Sequence, residues 1–129
     1  MKFAIQINCS PTQSNTAHTA YQFVKTVLAL QHEVLRVFFY QEGVYHAFAY
    51  TSPPDDELQM TQNWSDLALQ YQLDLVVCIS AAQRRGLLCD DEAKRQGKLD
   101  QDLAKGFRIS GLGQLLEASL LADRFIVFG

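Results

Sequence analysis

The sequence predicts a single-domain α/β protein with a mainly parallel sheet and helices on both faces. At 129 residues, the chain is long enough for one domain with one core. Short apolar runs alternate along it with segments of helical periodicity, the order typical of parallel α/β sheets. The run 34–40 is almost continuously apolar, as in strands that are buried on both faces.

The first half of the chain predicts two strands and one helix. Residues 3–8 form the first strand, and the polar loop 9–15 offers Ser and Asn side chains that can cap a helix. The strand 34–40 follows, and we expect a loop at 41–45. Apolar residues spaced three or four apart define the buried face of the helix: Ala17, Ala20, Tyr21, Val24, Val27 and Leu28.

The middle of the chain predicts a second helix and a third strand. Residues 51–57 contain two prolines and three acids, a pattern that marks a helix start. The run 73–79 predicts a buried strand with Cys78 at its carboxyl end, and a short helix follows that carries Arg84 and Arg85. The second helix places one stripe toward the core: Met60, Trp64, Leu67, Ala68 and Tyr71.

The last third begins with a charged and irregular segment. We expect a loop with one or two helical turns at 87–105, and a short strand at 107–109. Residues 110–113 open a final helix, and 124–128 form the last strand. The final helix is expected to bury one side: Leu112, Leu115, Leu116 and Ser119.

Composition and charge exclude several classes of protein. A net charge of −3 gives no support for direct nucleic-acid binding. No apolar stretch approaches the roughly 20 residues needed to cross a bilayer, and residues 1–7 do not resemble a signal peptide, so we expect a cytoplasmic protein. Three cysteines without a C-x-x-C pair argue against a disulfide framework or a zinc ribbon.

Cys78 is the leading candidate for chemistry. Ligands and reactive groups in open α/β sheets gather beyond the carboxyl ends of strands, although cysteine is also a common buried apolar residue. Backbone N–H groups near Ser80 and Ala81 would stabilise a thiolate, and Arg84 or Arg85 could add positive charge.

Other candidate sites are weaker. Cys9 also follows a strand and is a second candidate, whereas Cys89 lies in the charged segment and is either a resolving thiol or an incidental one. The cysteines and the histidines (His18, His32 and His46) show no metal-ligand spacing, so we predict no metal. No G-x-G-x-x-G, P-loop or G-x-S-x-G motif is present, although the first polar loop leaves a flavodoxin-like flavin or nucleotide binder as an alternative.

Three segments together resemble the DsrE family, and within it the TusD-type subunits of the TusBCD sulfur-relay complex. They are 38–45 (FFYQEGVY), the Cys78 strand end with 81–86 (AAQRRG), and 110–119 (SGLGQLLEAS). The resemblance covers essentially the whole chain, 1–129, and implies a DsrE-like parallel α/β fold with flavodoxin-like layering. It implies a sulfurtransferase whose persulfide is carried on Cys78, with no cofactor because sulfur itself is the cargo.

The resemblance also implies partners. These are TusB-like and TusC-like subunits in a heterohexamer, a TusA-like sulfur donor and a TusE-like acceptor, with 2-thiouridine at the tRNA wobble position as the product. Two alternatives within the family remain open. One is a DsrE-type subunit in dissimilatory sulfur oxidation, and the other is a non-catalytic assembly subunit.

Overall fold

A five-stranded parallel sheet forms the centre of the protein. The computed structural model describes residues 1–13, 15–97 and 102–129. The strands lie in the order β4-β3-β2-β1-β5, and each pair of neighbours is parallel. The single-domain α/β prediction with a parallel sheet is therefore confirmed. In chain order the strands are β1 (Lys2–Ile7), β2 (Glu33–Phe39), β3 (Leu75–Cys78), β4 (Phe107–Ser110) and β5 (Arg124–Phe128).

Helices cover both faces of this sheet. The helices are α1 (Asn15–Ala29), a 3₁₀ helix (Gln41–Ala47), α2 (Met60–Tyr71), α3 (Ile79–Arg84), α4 (Asp90–Arg95) and α5 (Gly113–Leu121). Trp64 of α2 packs edge-on against Phe39, whereas Gln114 of α5 binds Arg36. Because Phe39 and Arg36 are an odd number of residues apart on β2, α2 and α5 lie on opposite faces. None of the described helices is long and apolar enough to cross a membrane.

The start of α2 differs from the prediction. The acidic segment 51–57 does not form its first turn, because the helix begins only at Met60. The side-chain amide of Gln59 donates hydrogen bonds of 3.3–3.4 Å to the carbonyls of Pro53, Pro54 and Glu57, which hold that segment in a turn. Tyr71 was wrongly predicted to be buried; it is the last helical residue and is 38% exposed.

The predicted loop at 41–45 is instead part of the 3₁₀ helix Gln41–Ala47. This helix packs directly on the end of β1. A Cβ at Gly43 would lie 2.0 Å from the carbonyl oxygen of Ile7, so only glycine allows this approach. The helix therefore sits close to the carboxyl ends of the central strands.

The predicted side of α5 is only partly buried, through Leu115 and Ser119. Ala118 is the buried residue of this helix, whereas Leu112 and Leu116 are 51% and 60% exposed. The reason is that Arg36 holds α5 over the sheet by donating to the backbone carbonyl of Gln114 and to the carboxylate of Glu117. Leu112 and Leu116 consequently point away from the core, whereas Leu115 packs against it.

The described part of the charged segment 87–105 contains a helical element, as expected. The helix α4 occupies Asp90–Arg95, and Leu103 forms an antiparallel bridge with Phe48. The part of the prediction that concerns residues 98–101 lies outside the described residues, as does Ser14 of the first loop.

Asp74 joins three strands and α5 at the amino end of β3. Its carboxylate accepts hydrogen bonds from Arg36 Nε at 2.7 Å and from Arg108 Nε at 2.7 Å. Burial acts to raise the pKa of Asp74, but the hydrogen bonds from Arg108 and Arg36 outweigh it and hold the pKa below its usual value. Arg36 and Arg108 also bind Gln114, so this cluster fixes α5 over the sheet.

Replacing Asp74 with Asn should destabilise the fold, because two arginines lose the charge that binds them. Hydrogen bonds to charged groups contribute about 2 kcal/mol, so we expect a loss of that order in the free energy of unfolding. Urea denaturation measures it, with the exposed-turn variant Asp56→Asn as control. Equal stability of the two variants would contradict a structural role for the cluster.

Candidate functional site

Cys78 lies where the sequence predicts, as the last residue of β3. The strand ends of β2, β3 and β4 meet at this edge because all three run in the same direction. Cys78 has extended backbone angles (φ −62°, ψ 123°) and is directly followed by α3. The structure thus places a thiol at the carboxyl edge of the sheet, the usual location of sites in α/β folds.

The thiol is enclosed by the chain itself. Cys78 is 1% exposed and belongs to the core cluster, together with Ala81, Ala82 and Leu87. The buried segment ends close to Cys78, because Ser80, two residues later in the chain, is exposed. A bulky reactant therefore needs a local rearrangement of this edge before it can reach the sulfur.

The two predicted arginines have different environments. Arg85 donates to Glu42 of the 3₁₀ helix (Nη2 to Oε1, 2.7 Å) and to the carbonyl of Ala81 at 3.0 Å. Its charge is therefore balanced by a carboxylate, and the ion pair fastens the end of α3 to the 3₁₀ helix. Arg84 is exposed and has no hydrogen bond to any described residue. The sequence did not identify Glu42 as a site residue, because its only distinguishing feature is that it is an acidic residue shortly after the neighbouring strand β2.

Of the other predicted groups, Ser80 and Ala81 belong to the first turn of α3. Ala81 is buried and Ser80 is exposed. The helix has only six residues, so few peptide dipoles add to any charge at its amino end.

Cys9 belongs to a different part of the same edge. A Cβ on Gly129 would lie 3.1 Å from the Cβ of Cys9, so this cysteine packs against the chain beyond β5. Its carbonyl lies 3.1 Å from Nε2 of His46, a fully buried residue of the 3₁₀ helix. Because a carbonyl only accepts, Nε2 carries the proton of this hydrogen bond, and the lowered pKa of the ring keeps it neutral at pH 7. Burial lowers the pKa of His46 to about 4, against the opposing effect of the hydrogen bond to Cys9.

Cys89 precedes α4 and is half-buried. It lines a cavity of about 390 Å³ together with Phe107 and Ile109 of β4. None of the three cysteines forms a disulfide with another. Within the described ranges, no three His, Cys, Asp or Glu side chains are grouped so that they could hold a metal ion.

Comparison with known proteins identifies the family. The chain belongs to the DsrE/DsrF-like family, which matches residues 1–128. It is 51% identical over 129 residues to a protein of Allochromatium vinosum named "Putative sulfurtransferase DsrE", covering 100% of this chain and 99% of that one.

Two solved structures share the fold. The crystal structure of the ychN protein from E. coli aligns with a TM-score of 0.80 and 18% identity over 99% of both chains. A protein of unknown function from Methanobacterium thermoautotrophicum aligns with a TM-score of 0.71 and 15% identity, covering 98% of this chain and 97% of that one. At these identities the likeness concerns the fold alone.

The neutral state of His46 predicts an acid-sensitive stability. An unfolded histidine titrates near pH 6.5, whereas the pKa of His46 in the folded state is about 4. The unfolded chain therefore binds the proton first, and the free energy of unfolding should fall by up to about 3 kcal/mol from pH 6.5 to pH 4. Urea denaturation across this range measures it. His46→Gln should remove most of this fall and His32→Gln should not; an unchanged fall in His46→Gln would contradict the assignment.

Proposed function

We propose that this protein is a sulfurtransferase that carries sulfur as a persulfide on Cys78. The family and the name of the 51% identical relative support sulfur transfer as the general role. The observation that carries the assignment of Cys78 is its position as the last residue of β3, at the carboxyl edge of the sheet. Cys9 and Cys89 lack this combination of a central strand and a following helix turn.

The chemistry is an exchange at sulfur without net oxidation or reduction. The Cys78 thiolate attacks the terminal sulfur of a donor persulfide, so that a new S–S bond forms at Cys78. The donor S–S bond breaks, and the donor leaves as a thiolate that takes up the proton released by Cys78. An acceptor thiolate then attacks the terminal sulfur on Cys78 in the same way, which regenerates the free thiol. No metal or organic cofactor takes part.

The donor and acceptor in this proposal are small thiol proteins. A TusA-like protein delivers the sulfur and a TusE-like protein removes it, for 2-thiouridine formation at the tRNA wobble position. Dissimilatory sulfur oxidation would use the same steps at Cys78 with a different acceptor. The protein that takes sulfur from loaded Cys78 therefore distinguishes the two pathways.

An apolar surface on α5 and β5 supports assembly with related subunits. Leu116, Leu120 and Leu121 are 60–75% exposed, and Phe125 and Val127 of β5 are 42% and 48% exposed. Large contiguous apolar surfaces mark protein interfaces. We propose that TusB-like and TusC-like subunits cover this α5–β5 surface in a heterohexamer with two copies of each subunit. A non-catalytic assembly subunit would need the same surface but not Cys78.

Cys78→Ser should fold and assemble but carry no sulfur, because serine cannot form a persulfide. The protein is incubated with a radiolabelled persulfide donor, and bound sulfur is measured after separation from small molecules. Cys89→Ser is the matched control and should load normally. Normal loading of Cys78→Ser would show that another residue carries the sulfur, whereas no loading of the natural protein would favour the assembly subunit.

Charges on the α5–β5 surface should block assembly without unfolding the chain. In Leu116→Lys/Leu120→Lys, a partner would have to bury two ammonium groups, so co-expressed related subunits should no longer co-purify. Light scattering on the purified complexes measures their mass. Leu69→Lys, an 84% exposed position on α2, is the control. A complex of full mass with the double variant would place the interface elsewhere.

A further inference from the structure

Strand register determines which side chains stand beside Cys78 on its face of the sheet. Paired residues of parallel neighbours share a face, and so do alternate residues along one strand. Cys78 pairs with Ser110 of β4, and Phe38 of β2 pairs with Val76. Tyr40 lies two residues after Phe38, and Cys78 lies two residues after Val76. Tyr40, Cys78 and Ser110 therefore form one row across three adjacent strand ends, which we call the hydroxyl row.

Tyr40 still follows the line of its strand although β2 ends at Phe39. Its backbone is extended (φ −130°, ψ 157°), and its N–H donates to the carbonyl of Ile7 at 2.9 Å. Its ring lies 6.4 Å from the ring of Phe38, measured between centroids. That contact between residues two apart places both rings on the same face. The chain leaves the strand only at Gln41, where φ becomes 52°.

The two hydroxyl groups of the row are available to a ligand. Within the part of the chain that the structure describes, neither Tyr40 nor Ser110 has a side-chain hydrogen bond. Both residues are half-buried, so the row lies at the boundary between the core and the surface. The nearby Arg85 is bound to Glu42, and Arg84 is exposed. The hydroxyls are consequently the polar side chains that the sheet itself presents beside the thiol.

We propose that Ser110 donates a hydrogen bond to Sγ of the Cys78 thiolate and that Tyr40 donates one to the terminal sulfur of the persulfide. The second half rests on the proposed function. The serine oxygen and the cysteine sulfur are both one bond beyond Cβ, and neighbouring strands are about 4.8 Å apart, so these two atoms can meet. The tyrosine side chain is longer than that of serine, so its hydroxyl can reach a second sulfur beyond Sγ.

Uncharged hydrogen-bond donors suit a protein that must release the sulfur it carries. A hydrogen bond to an anion stabilises it strongly, and a thiolate stabilised further by a full positive charge loses nucleophilicity. Hydroxyl groups stabilise the sulfur anion without that charge. Because Arg85 is already paired with Glu42, the row supplies moderate stabilisation at the strand ends.

The Ser110 half of the proposal is tested on the thiol alone, without any sulfur donor. Alkylation of Cys78 by iodoacetamide is followed against pH in the full chain, and the modified peptide is quantified by mass spectrometry. Ser110→Ala should move the midpoint of the alkylation rate against pH up by about one pH unit, and it should slow alkylation at pH 7 about tenfold. Ser52→Ala, on an exposed loop, is the control. Unchanged alkylation in Ser110→Ala, or an equal shift in Ser80→Ala, would overturn this half.

The Tyr40 half is tested on the loaded protein. Inorganic polysulfide supplies the sulfur, and the persulfide on Cys78 is followed by mass spectrometry during its loss to a small thiol. Tyr40→Phe should leave the alkylation midpoint of the unloaded thiol unchanged but shorten the persulfide lifetime about tenfold. Tyr50→Phe, at a 71% exposed position, should behave as the natural protein.

The two proposals fail in different ways. A normal persulfide lifetime in Tyr40→Phe would overturn the role of Tyr40 while leaving the sulfur-carrier function intact. Absence of any persulfide in the natural protein would overturn the function and, with it, the role of Tyr40. The alkylation experiment with Ser110→Ala tests the role of Ser110 in either case, because it uses only the unloaded thiol.

Discussion

The parallel register of the sheet is the constraint on which the candidate site depends. Because β2, β3 and β4 run in one direction, their carboxyl ends meet, and the residues that follow them form a single edge. Cys78 gains its neighbours from strands that are distant in the sequence. A shift of β3 by one residue would turn the thiol toward α2 and away from Tyr40 and Ser110.

The site combines a buried thiol with a short and fastened helix. A six-residue helix begins directly after Cys78, and its end is joined to the 3₁₀ helix by the Arg85–Glu42 ion pair. This arrangement keeps water and oxidants away from the sulfur, which is 1% exposed. The proposed sulfur transfer at Cys78 therefore requires motion at this edge. The loop-and-turn elements there, rather than the strands, are the parts that can move without breaking the sheet.

Local sequence patterns were sufficient for the strands and for the position of Cys78. Apolar runs such as 34–40 determine strands through burial on both faces, and a thiol at the end of such a run lies at the edge of any parallel sheet. The resemblance to the DsrE family rested on segments that are contiguous in the chain. These features are predictable because the residues that determine them lie within a few positions of one another in the sequence.

Features that depend on distant partners were not predictable. The start of α2 is determined by hydrogen bonds from Gln59 back to the turn before it, and the orientation of α5 by Arg36 on a strand nearly 80 residues away. The pairing of Arg85 with Glu42 likewise joins segments 43 residues apart. Periodicity alone assigns the leucines of α5 to one apolar side, because the hydrophobic pattern contains no information about the contact of this helix with Arg36.

The pairing of β1 with β5 has a consequence for synthesis. These neighbours join Phe3 with Arg124 and Ile7 with Phe128, so the second partner of β1 is translated about 120 residues after it. Until then β1 has an unpaired edge, and nascent chains in a polysome could pair through it. The order of translation thus leaves the sheet open on that side until β5 has been made.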